Sequence, residues 1–172
     1  MEPVIETLGD PLARLVVLTG AGISAESGLA TFRGGGGLWD GWPVEQVATP
    51  EAFERDPALV WRFYGERRRL ALDAEPNEAH RALATAERTM GERFLLVTQN
   101  IDGLHGAAGS ERVLELHGSL WVTRCAACGR RRPDREIHAT PPTCAACGGP
   151  ERPDIVWFGE PLDPDHLGRL ER

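Results

Sequence analysis

The chain has 172 residues, which is enough for one domain or for one domain with a small insert. Its formal net charge of -7 argues against a nucleic-acid-binding protein, because such proteins neutralise phosphates with basic side chains. No stretch approaches the roughly 20 apolar residues that span a bilayer, and acidic residues precede the first apolar run. We therefore expect a cytoplasmic protein that binds neither nucleic acid nor membranes, and we find no signal for a particular oligomeric state.

The first predicted element is a strand at residues 14–19, whose continuous apolar run is typical of a strand buried on both faces. The turn Gly20-Ala21-Gly22 follows directly, and residues 23–29 then predict the opening of a helix with Ser24 as a candidate cap. Glycines in such a unit let the backbone approach a pyrophosphate, and the helix N-terminus attracts anions. Because Ala25 replaces the third glycine of the GxGxxG pattern, the motif is also compatible with a plain tight turn.

A glycine-rich segment and three helices come next along the chain. Residues 31–43 contain five glycines, and we predict a mobile loop there because no packed element tolerates so many. The three predicted helices cover residues 49–53, 57–72 and 77–89.

The second of these helices carries Tyr64, the only tyrosine of the chain, and Arg67 three residues later. At that spacing the two side chains share one face of the helix. This face could line a pocket that binds a negatively charged group, or it could combine a core tyrosine with a surface arginine. Arg68 and Arg69 point elsewhere on the helix, and we expect both to be solvated.

Polar residues follow two further predicted strands. The strand at residues 94–98 is followed by Asn100 and Asp102, and His117 lies near the end of a strand at residues 113–118. Strands that alternate with helices predict an α/β fold with a parallel sheet, and such folds bind ligands at the carboxyl ends of their strands. Asn100 and Asp102 fit either a turn or a pair that contacts a ligand, and His117 is a candidate general base.

All four cysteines lie in two CxxC motifs, at Cys125, Cys128, Cys144 and Cys147, with 15 residues between the motifs. Disulfides are not expected in a reducing cytoplasm, and this spacing is typical of a tetrahedral zinc site. Four thiolates fill every position on the metal, so we predict structural zinc. An iron–sulfur cluster and a redox-active thiol pair are the weaker alternatives.

Several motifs, in this order, resemble those of the sirtuins, which are NAD-dependent protein lysine deacylases. They are GAGISAESGLATFRG at 20–34, TQNID at 98–102, LELHG at 114–118, the two CxxC motifs, and IVWFGE at 155–160. The resemblance covers residues 14 to about 162. It implies a Rossmann-like parallel sheet with a small helical insert and a zinc-binding module. It also implies NAD and zinc as cofactors, and proteins or peptides that carry acyl-lysine as partners.

The resemblance further implies which residues bind NAD and carry the chemistry. The expected cofactor-binding residues are Gly20, Ala21, Gly22, Ala25, Glu26, Thr31, Phe32, Arg33, Trp39, Gln99, Asn100, Ile101 and Asp102. His117 is the expected general base, with Asn100 and Asp102 as further catalytic residues. In the implied reaction the acyl oxygen attacks the ribose carbon as nicotinamide leaves, and the products include deacylated lysine and an O-acyl-ADP-ribose.

Two groups of residues are implied for the acylated substrate. The first would line the acyl-lysine tunnel and pair with the substrate backbone as an added strand: Val156, Trp157 and Phe158. The second matches the desuccinylase and demalonylase branch: Ala48, Tyr64 and Arg67. A small alanine leaves room in the tunnel, and an arginine fork with a tyrosine hydroxyl suits a carboxylate. We therefore expect deacetylation to be the weaker activity.

The implied layout has three parts. Residues 1–33, 93–120 and 155–172 form the NAD-binding domain, residues 34–92 form a cofactor loop with a helical module, and residues 121–154 form the zinc-binding module. Sirtuins normally continue past the WFGE motif, so we expect the C-terminal part of the family fold to be absent here. A mono-ADP-ribosyltransferase and a non-catalytic, zinc-stabilised fragment are the alternative functions.

Overall fold

The computed structural model describes residues 13–31 and 42–170. Its first sheet has three parallel strands in the spatial order β1-β2-β3: β1 (Leu15–Thr19), β2 (Phe94–Thr98) and β3 (Val113–Glu115). The predicted parallel α/β sheet is therefore confirmed. A seven-residue 3-10 helix, Ala21–Ser27 (the turn helix), follows β1, and a second 3-10 helix, Gly91–Arg93, precedes β2. The loop predicted at residues 31–43 lies outside the described residues except at its two ends.

Six α-helices accompany the strands in the described ranges: α1 (Val44–Val47), α2 (Pro50–Arg55), α3 (Pro57–Asp73), α4 (Glu78–Met90), α5 (Leu104–Ala107) and α6 (Pro164–Leu170). Helices α2 and α3 both begin with proline after a capping side chain, Thr49 for α2 and Asp56 for α3. Proline suits the first helical position because its fixed φ is already helical and its missing N–H would have no partner there. None of the helices in these ranges has the length and apolar character that a bilayer crossing requires.

A second, antiparallel sheet follows the first, in the order β5-β4-β6: β4 (Gly118–Cys125), β5 (Arg131–Pro133) and β6 (Glu151–Ile155). Strand β6 reads ERPDI, so the apolar run at 155–159 contributes only its first residue to the strand. A search for apolar runs does not detect β6, because three of its five residues are charged. Two of these charged residues can be buried because they form ion pairs, Glu151 with Arg132 and Arg152 with Glu160. Strands β4 and β6 also continue across the predicted module boundaries at residues 120 and 154.

An apolar cluster joins helices α1 to α3 to this second sheet. Trp61, Phe63 and Tyr64 of α3 are buried in it, together with Leu120 of β4 and Ile155 of β6. The indole N–H of Trp61 also donates to the Glu151 carbonyl at 2.8 Å. Helix α3 is therefore held against the second sheet by both packing and hydrogen bonding.

Arg68 corrects the expectation that it is solvated, because its side chain is completely buried under α3. Its Nε donates to the Leu120 carbonyl at 2.7 Å, and a terminal nitrogen pairs with Asp134 Oδ2 at 3.1 Å. Successive residues of a helix are rotated by about 100°, so Arg68 faces the sheet whereas Arg69 faces solvent. Burial favours the neutral carboxyl of Asp134, but the Glu136 backbone N–H and the Arg68 guanidinium lower the pKa of Asp134 below its ordinary value.

We expect Arg68→Met to reduce the free energy of unfolding by about 3 kcal/mol, because it removes the fully buried guanidinium that pairs with the buried Asp134 carboxylate at 3.1 Å. Arg69→Met, the same change at the next and exposed position of α3, is expected to cost less than about 0.5 kcal/mol. Urea denaturation of the two variants measures both values. Equal losses would contradict the structural role of Arg68.

Candidate functional site

A cavity of about 810 Å³ opens at the carboxyl edge of the parallel sheet, where the segments after β1, β2 and β3 meet. Helix α3 and the segment after β6 close its other side. The structure brings thirteen of the predicted site residues into its lining: Ala21, Thr31, Ala48, Tyr64, Arg67, Gln99, Asn100, Ile101, Asp102, His117, Val156, Trp157 and Phe158. Residues predicted from separate motifs therefore share one site.

Four other predicted cofactor-binding residues, all in the described part of the chain, do not line this cavity. Gly22, Ala25 and Glu26 are exposed on the turn helix, and Gly20 is half-buried before it. Three more lie outside the described residues: Phe32, Arg33 and Trp39. The cofactor roles of these seven residues, like those of the predicted residues that line the cavity, stay predictions.

Ser24 also lines the cavity, and its predicted role as a helix cap is wrong. It does not cap a helix, because the turn helix begins earlier and its cap position is Gly20. The buried Ser24 hydroxyl instead donates to Asp102 Oδ2 at 2.7 Å and accepts from Asn100 Nδ2 at 3.1 Å. These partners lie more than 70 residues away, so no local pattern could indicate them. The network orients both predicted polar residues at the cavity wall.

Asp102 and its loop are also held from the second sheet. The indole N–H of Trp121 donates to the Asp102 carbonyl at 2.7 Å, and the Asp102 carboxylate accepts the Leu104 backbone N–H at 2.9 Å. A Cβ on Gly103, whose φ is 78°, would lie 2.6 Å from the Trp121 indole nitrogen. Glycine is therefore required for this close approach of the loop to Trp121.

His117 lies at the corner between β3 and β4 with its imidazole beside the β2 loop. Its Nδ1 is 3.1 Å from the Gln99 carbonyl oxygen, which can only accept a hydrogen bond. Nδ1 therefore carries the proton, and Nε2 has the free lone pair that a general base needs. The His117 backbone is fixed as well, since its carbonyl accepts the Val156 N–H at 2.9 Å.

Tyr64 and Arg67 face the cavity from α3 and do not point to bulk solvent. The Trp157 indole N–H donates to the Tyr64 hydroxyl at 3.0 Å, so the hydroxyl keeps its own hydrogen for another acceptor. The Arg67 guanidinium stacks 3.7 Å above the Phe63 ring, and it pairs with the exposed Glu66 carboxylate at 3.3 Å. Burial raises the pKa of Tyr64 and lowers the pKa of Arg67 from their ordinary values.

The backbone of residues 156–158 makes contacts within the chain. The Val156 N–H bonds to His117, the Trp157 N–H to the Glu160 carboxylate, and the Phe158 N–H to the carbonyl of the buried Ala48. These three N–H groups are thus already engaged. Pairing of this segment with a substrate strand stays a prediction.

The four cysteine sulfurs form a compact cluster with all pairwise separations within 4.8 Å. Cys125 and Cys147 are 3.5 Å apart and Cys128 and Cys144 are 3.8 Å apart, close to the about 3.8 Å expected between sulfurs around a zinc ion. The Cys128 backbone N–H donates to Cys125 Sγ and lowers the pKa of that thiol to about 6. A Cβ on Gly149 would approach two of the sulfurs at 3.4 Å. The donor set and spacing fit zinc.

We expect one zinc ion per chain. Structural zinc sites bind with about 10–16 kcal/mol of apparent free energy, so removal by a chelator should unfold the cysteine-bearing segment. Metal analysis and thiol reactivity before and after chelation measure both effects. The nearby Asp134–Glu136–His138 group is not expected to add a second ion, because Asp134 is already paired with Arg68. Two ions, or thiols that stay protected after chelation, would contradict this assignment.

A carboxyl group behind the site provides a pH-dependent test. Burial, with a smaller effect of the Asp102 charge, raises the pKa of Glu115 from 4.5 to about 7. Such a group favours the folded state while protonated, so its stabilising effect is lost as pH rises from about 4.5 through about 7. We expect the stability gained by Glu115→Gln to increase between pH 5 and pH 8. Urea midpoints across this range test it, with the exposed Glu111→Gln as control; a pH-independent difference would contradict it.

Comparisons with known proteins agree with this geometry. The profile of the Sir2 family matches residues 20–171. NAD-dependent protein deacylase 2 of Pyrobaculum aerophilum is 56% identical over 148 residues, which cover 86% of this chain and 59% of that protein. Mitochondrial NAD-dependent protein deacylase sirtuin-5 of Canis lupus familiaris is 44% identical over 185 residues, which cover 92% of this chain and 60% of that protein.

A crystal structure described as a complex of a Sir2 homolog with NAD superposes with a TM-score of 0.86 at 45% identity, covering 98% of this chain and 66% of that one. The chain thus spans about three fifths of the length of the curated relatives named above. The family profile extends over all the residues named as lining the cavity and over all four cysteines. This chain belongs to the Sir2 family.

Proposed function

We propose that the protein is an NAD-dependent protein lysine deacylase that prefers succinyl and malonyl groups. One observation carries the proposal: His117, the candidate general base, lines the same cavity as Tyr64 and Arg67, the candidate pair for binding an acyl carboxylate. The cofactor and the acyl-lysine would enter this cavity from its two sides. The similar proteins named above are NAD-dependent deacylases, and sirtuin-5 is among them.

The polar wall of the cavity fits the nicotinamide riboside part of NAD. Asn100 is buried, and its side-chain nitrogen donates to the Ser24 hydroxyl. The Asp102 carboxylate accepts hydrogen bonds from Ser24 and from the Leu104 N–H. The polar atoms of both side chains are therefore oriented. Groups that are already oriented lose little conformational entropy when they bind a ligand. NAD supplies an electrophilic ribose carbon and nicotinamide as the leaving group.

His117 would act as the general base at the centre of the cavity. Its Nδ1–H bond to the Gln99 carbonyl sets the tautomer and leaves Nε2 to accept a proton from a ribose hydroxyl. The same carbonyl stabilises the imidazolium that forms, because Nδ1–H remains its donor after protonation.

The acyl end of the cavity supports the acidic preference. The Phe63 ring supports the Arg67 guanidinium from one side. Because Arg67 is partly buried, fewer water molecules compete with a substrate carboxylate for its N–H groups. Arg67 donates to the Phe63 carbonyl as well as to Glu66. Because Glu66 is more than half exposed, a substrate carboxylate can replace the Glu66 carboxylate at little cost. The Tyr64 hydroxyl adds a second donor. A charge-assisted contact of this kind contributes about 1.5–3 kcal/mol.

The activity is tested by supplying the 172-residue chain with NAD and matched peptides that carry succinyl-, malonyl- or acetyl-lysine. We expect NAD-dependent removal of succinyl and malonyl groups with higher kcat/KM than for acetyl. Equal or faster deacetylation would contradict the acidic preference. Transfer of labelled ADP-ribose to protein without deacylation would replace the proposed activity by ADP-ribosyl transfer, and zinc binding without NAD binding would leave a non-catalytic role.

We expect Arg67→Met to lower kcat/KM for desuccinylation by about 10- to 100-fold and to change deacetylation by less than about threefold. Arg69→Met on the exposed face of α3 is the matched control and should alter neither rate. His117→Ala should remove activity on all three acyl groups, because the base acts whatever the acyl tail is. Steady-state kinetics measure these effects, and equal losses of both activities in Arg67→Met would refute the carboxylate contact.

A further inference from the structure

Asn77 connects the first turn of helix α4 to the turn helix, 50 or more residues earlier in the chain. Its Nδ2 donates to the Ile23 carbonyl at 2.7 Å and to the Ser27 hydroxyl at 3.0 Å. Its Oδ1 accepts the backbone N–H groups at the start of α4. One amide side chain thus caps α4 with its oxygen and holds the turn helix with its nitrogen.

The α4 end of this connection is rigid. His80 is fully buried, and its Nδ1 accepts the Asn77 backbone N–H at 3.3 Å, which completes a reciprocal cap. The His80 ring also packs on the buried His105 ring at 4.9 Å, and His105 Nε2 bonds to the Thr19 hydroxyl at 2.9 Å. Asn77 is therefore fixed relative to the end of β1, just before the turn helix begins.

The turn helix itself needs such an external contact. Its seven residues form a 3-10 helix, although runs of this type longer than three or four residues are uncommon because their hydrogen-bond geometry is poor. Gly22 and Ala25 are exposed, so packing covers only part of its surface. Yet the same helix carries Ser24, whose hydroxyl orients Asp102 and Asn100 in the cavity wall.

We propose that Asn77 is a positioning residue that holds the turn helix in the conformation in which Ser24 meets Asp102. Asn77 does not line the cavity, so it acts on the site through the turn helix and touches no ligand. The role rests on the proposed function in one respect, namely that the cavity binds the nucleotide cofactor. Loss of the two Nδ2 contacts lets the turn helix move and weakens cofactor binding without removing any group that contacts the cofactor.

The substitution Asn77→Asp tests the contacts of the side-chain nitrogen separately from those of the side-chain oxygen. Aspartate caps a helix as well as asparagine does, so the contact to α4 is kept, whereas both Nδ2 donations to the turn helix are lost. Asn77→Ser also keeps a capping oxygen but is too short to reach Ile23. Glu78→Gln is the matched control, because it makes the reverse carboxyl–amide exchange at the next, exposed position of α4.

Four measurements compare the variants with the parent chain: binding of ADP-ribose by calorimetry, hydrogen exchange of residues 21–29, thermal unfolding, and steady-state kinetics in the peptide assay. We expect both Asn77 variants to bind ADP-ribose about tenfold more weakly and to exchange faster at residues 21–29. Their unfolding midpoints should stay within about 3 °C of the parent chain. In the peptide assay, KM for NAD should rise while kcat at saturating NAD stays within about twofold. Glu78→Gln should match the parent chain throughout.

The other outcomes overturn either the positioning role of Asn77 or the proposed function. Unchanged binding and unchanged exchange in Asn77→Asp overturn the positioning role. A fall in thermal stability of both variants that accounts for the weaker binding also overturns it, because Asn77 is then only a structural cap. If the parent chain binds no ADP-ribose, the proposed function fails, and the exchange of residues 21–29 still decides whether Asn77 holds the turn helix.

Discussion

The buried ion pair between Arg68 and Asp134 helps to fix how helix α3 lies on the second sheet, together with the apolar cluster around Trp61, and the cavity depends on that placement. Removing a charge from water costs several kcal/mol, so a buried guanidinium needs partners on more than one side. Arg68 finds them in Asp134 and in the carbonyl of Leu120 on β4. Arg68 can reach both partners only when α3 has one particular rotation about its axis. In that rotation Tyr64 and Arg67 face the cavity.

The cavity combines two kinds of wall with different mechanical support. Its polar wall comes from loops at the carboxyl edge of the parallel sheet, where the network of Ser24, Asn100 and Asp102 crosses from one loop to another. Its second wall comes from α3 and the segment after β6, where Trp157 and Tyr64 are joined by a hydrogen bond. The two walls rest on different elements, so under the proposed function the second wall would select the acyl group and the polar wall would hold the cofactor.

Local patterns predicted the elements whose signals are short-range. The parallel strands were readable as apolar runs, and the helices predicted at residues 49–53 and 57–72 correspond to α2 and α3. The cysteine cluster followed from spacing, since two CxxC knuckles can aim four sulfurs at one ion. Strand β6 was missed because its charged residues are buried in pairs, and the solvation expected for Arg68 was wrong because its partner Asp134 lies 66 residues away.

The sequence by itself determined the α/β class, the cysteine cluster and the family resemblance, and thirteen of the site residues that it predicted line one cavity, because motif residues and strand ends carry that information locally. Only the tertiary structure decided how those residues work together. It assigned the tautomer of His117 through the Gln99 carbonyl, and it turned Ser24 from a candidate cap into the link between Asn100 and Asp102. The physical reason is that such contacts join residues distant in the chain, and a hydrogen bond depends on where both partners lie after folding.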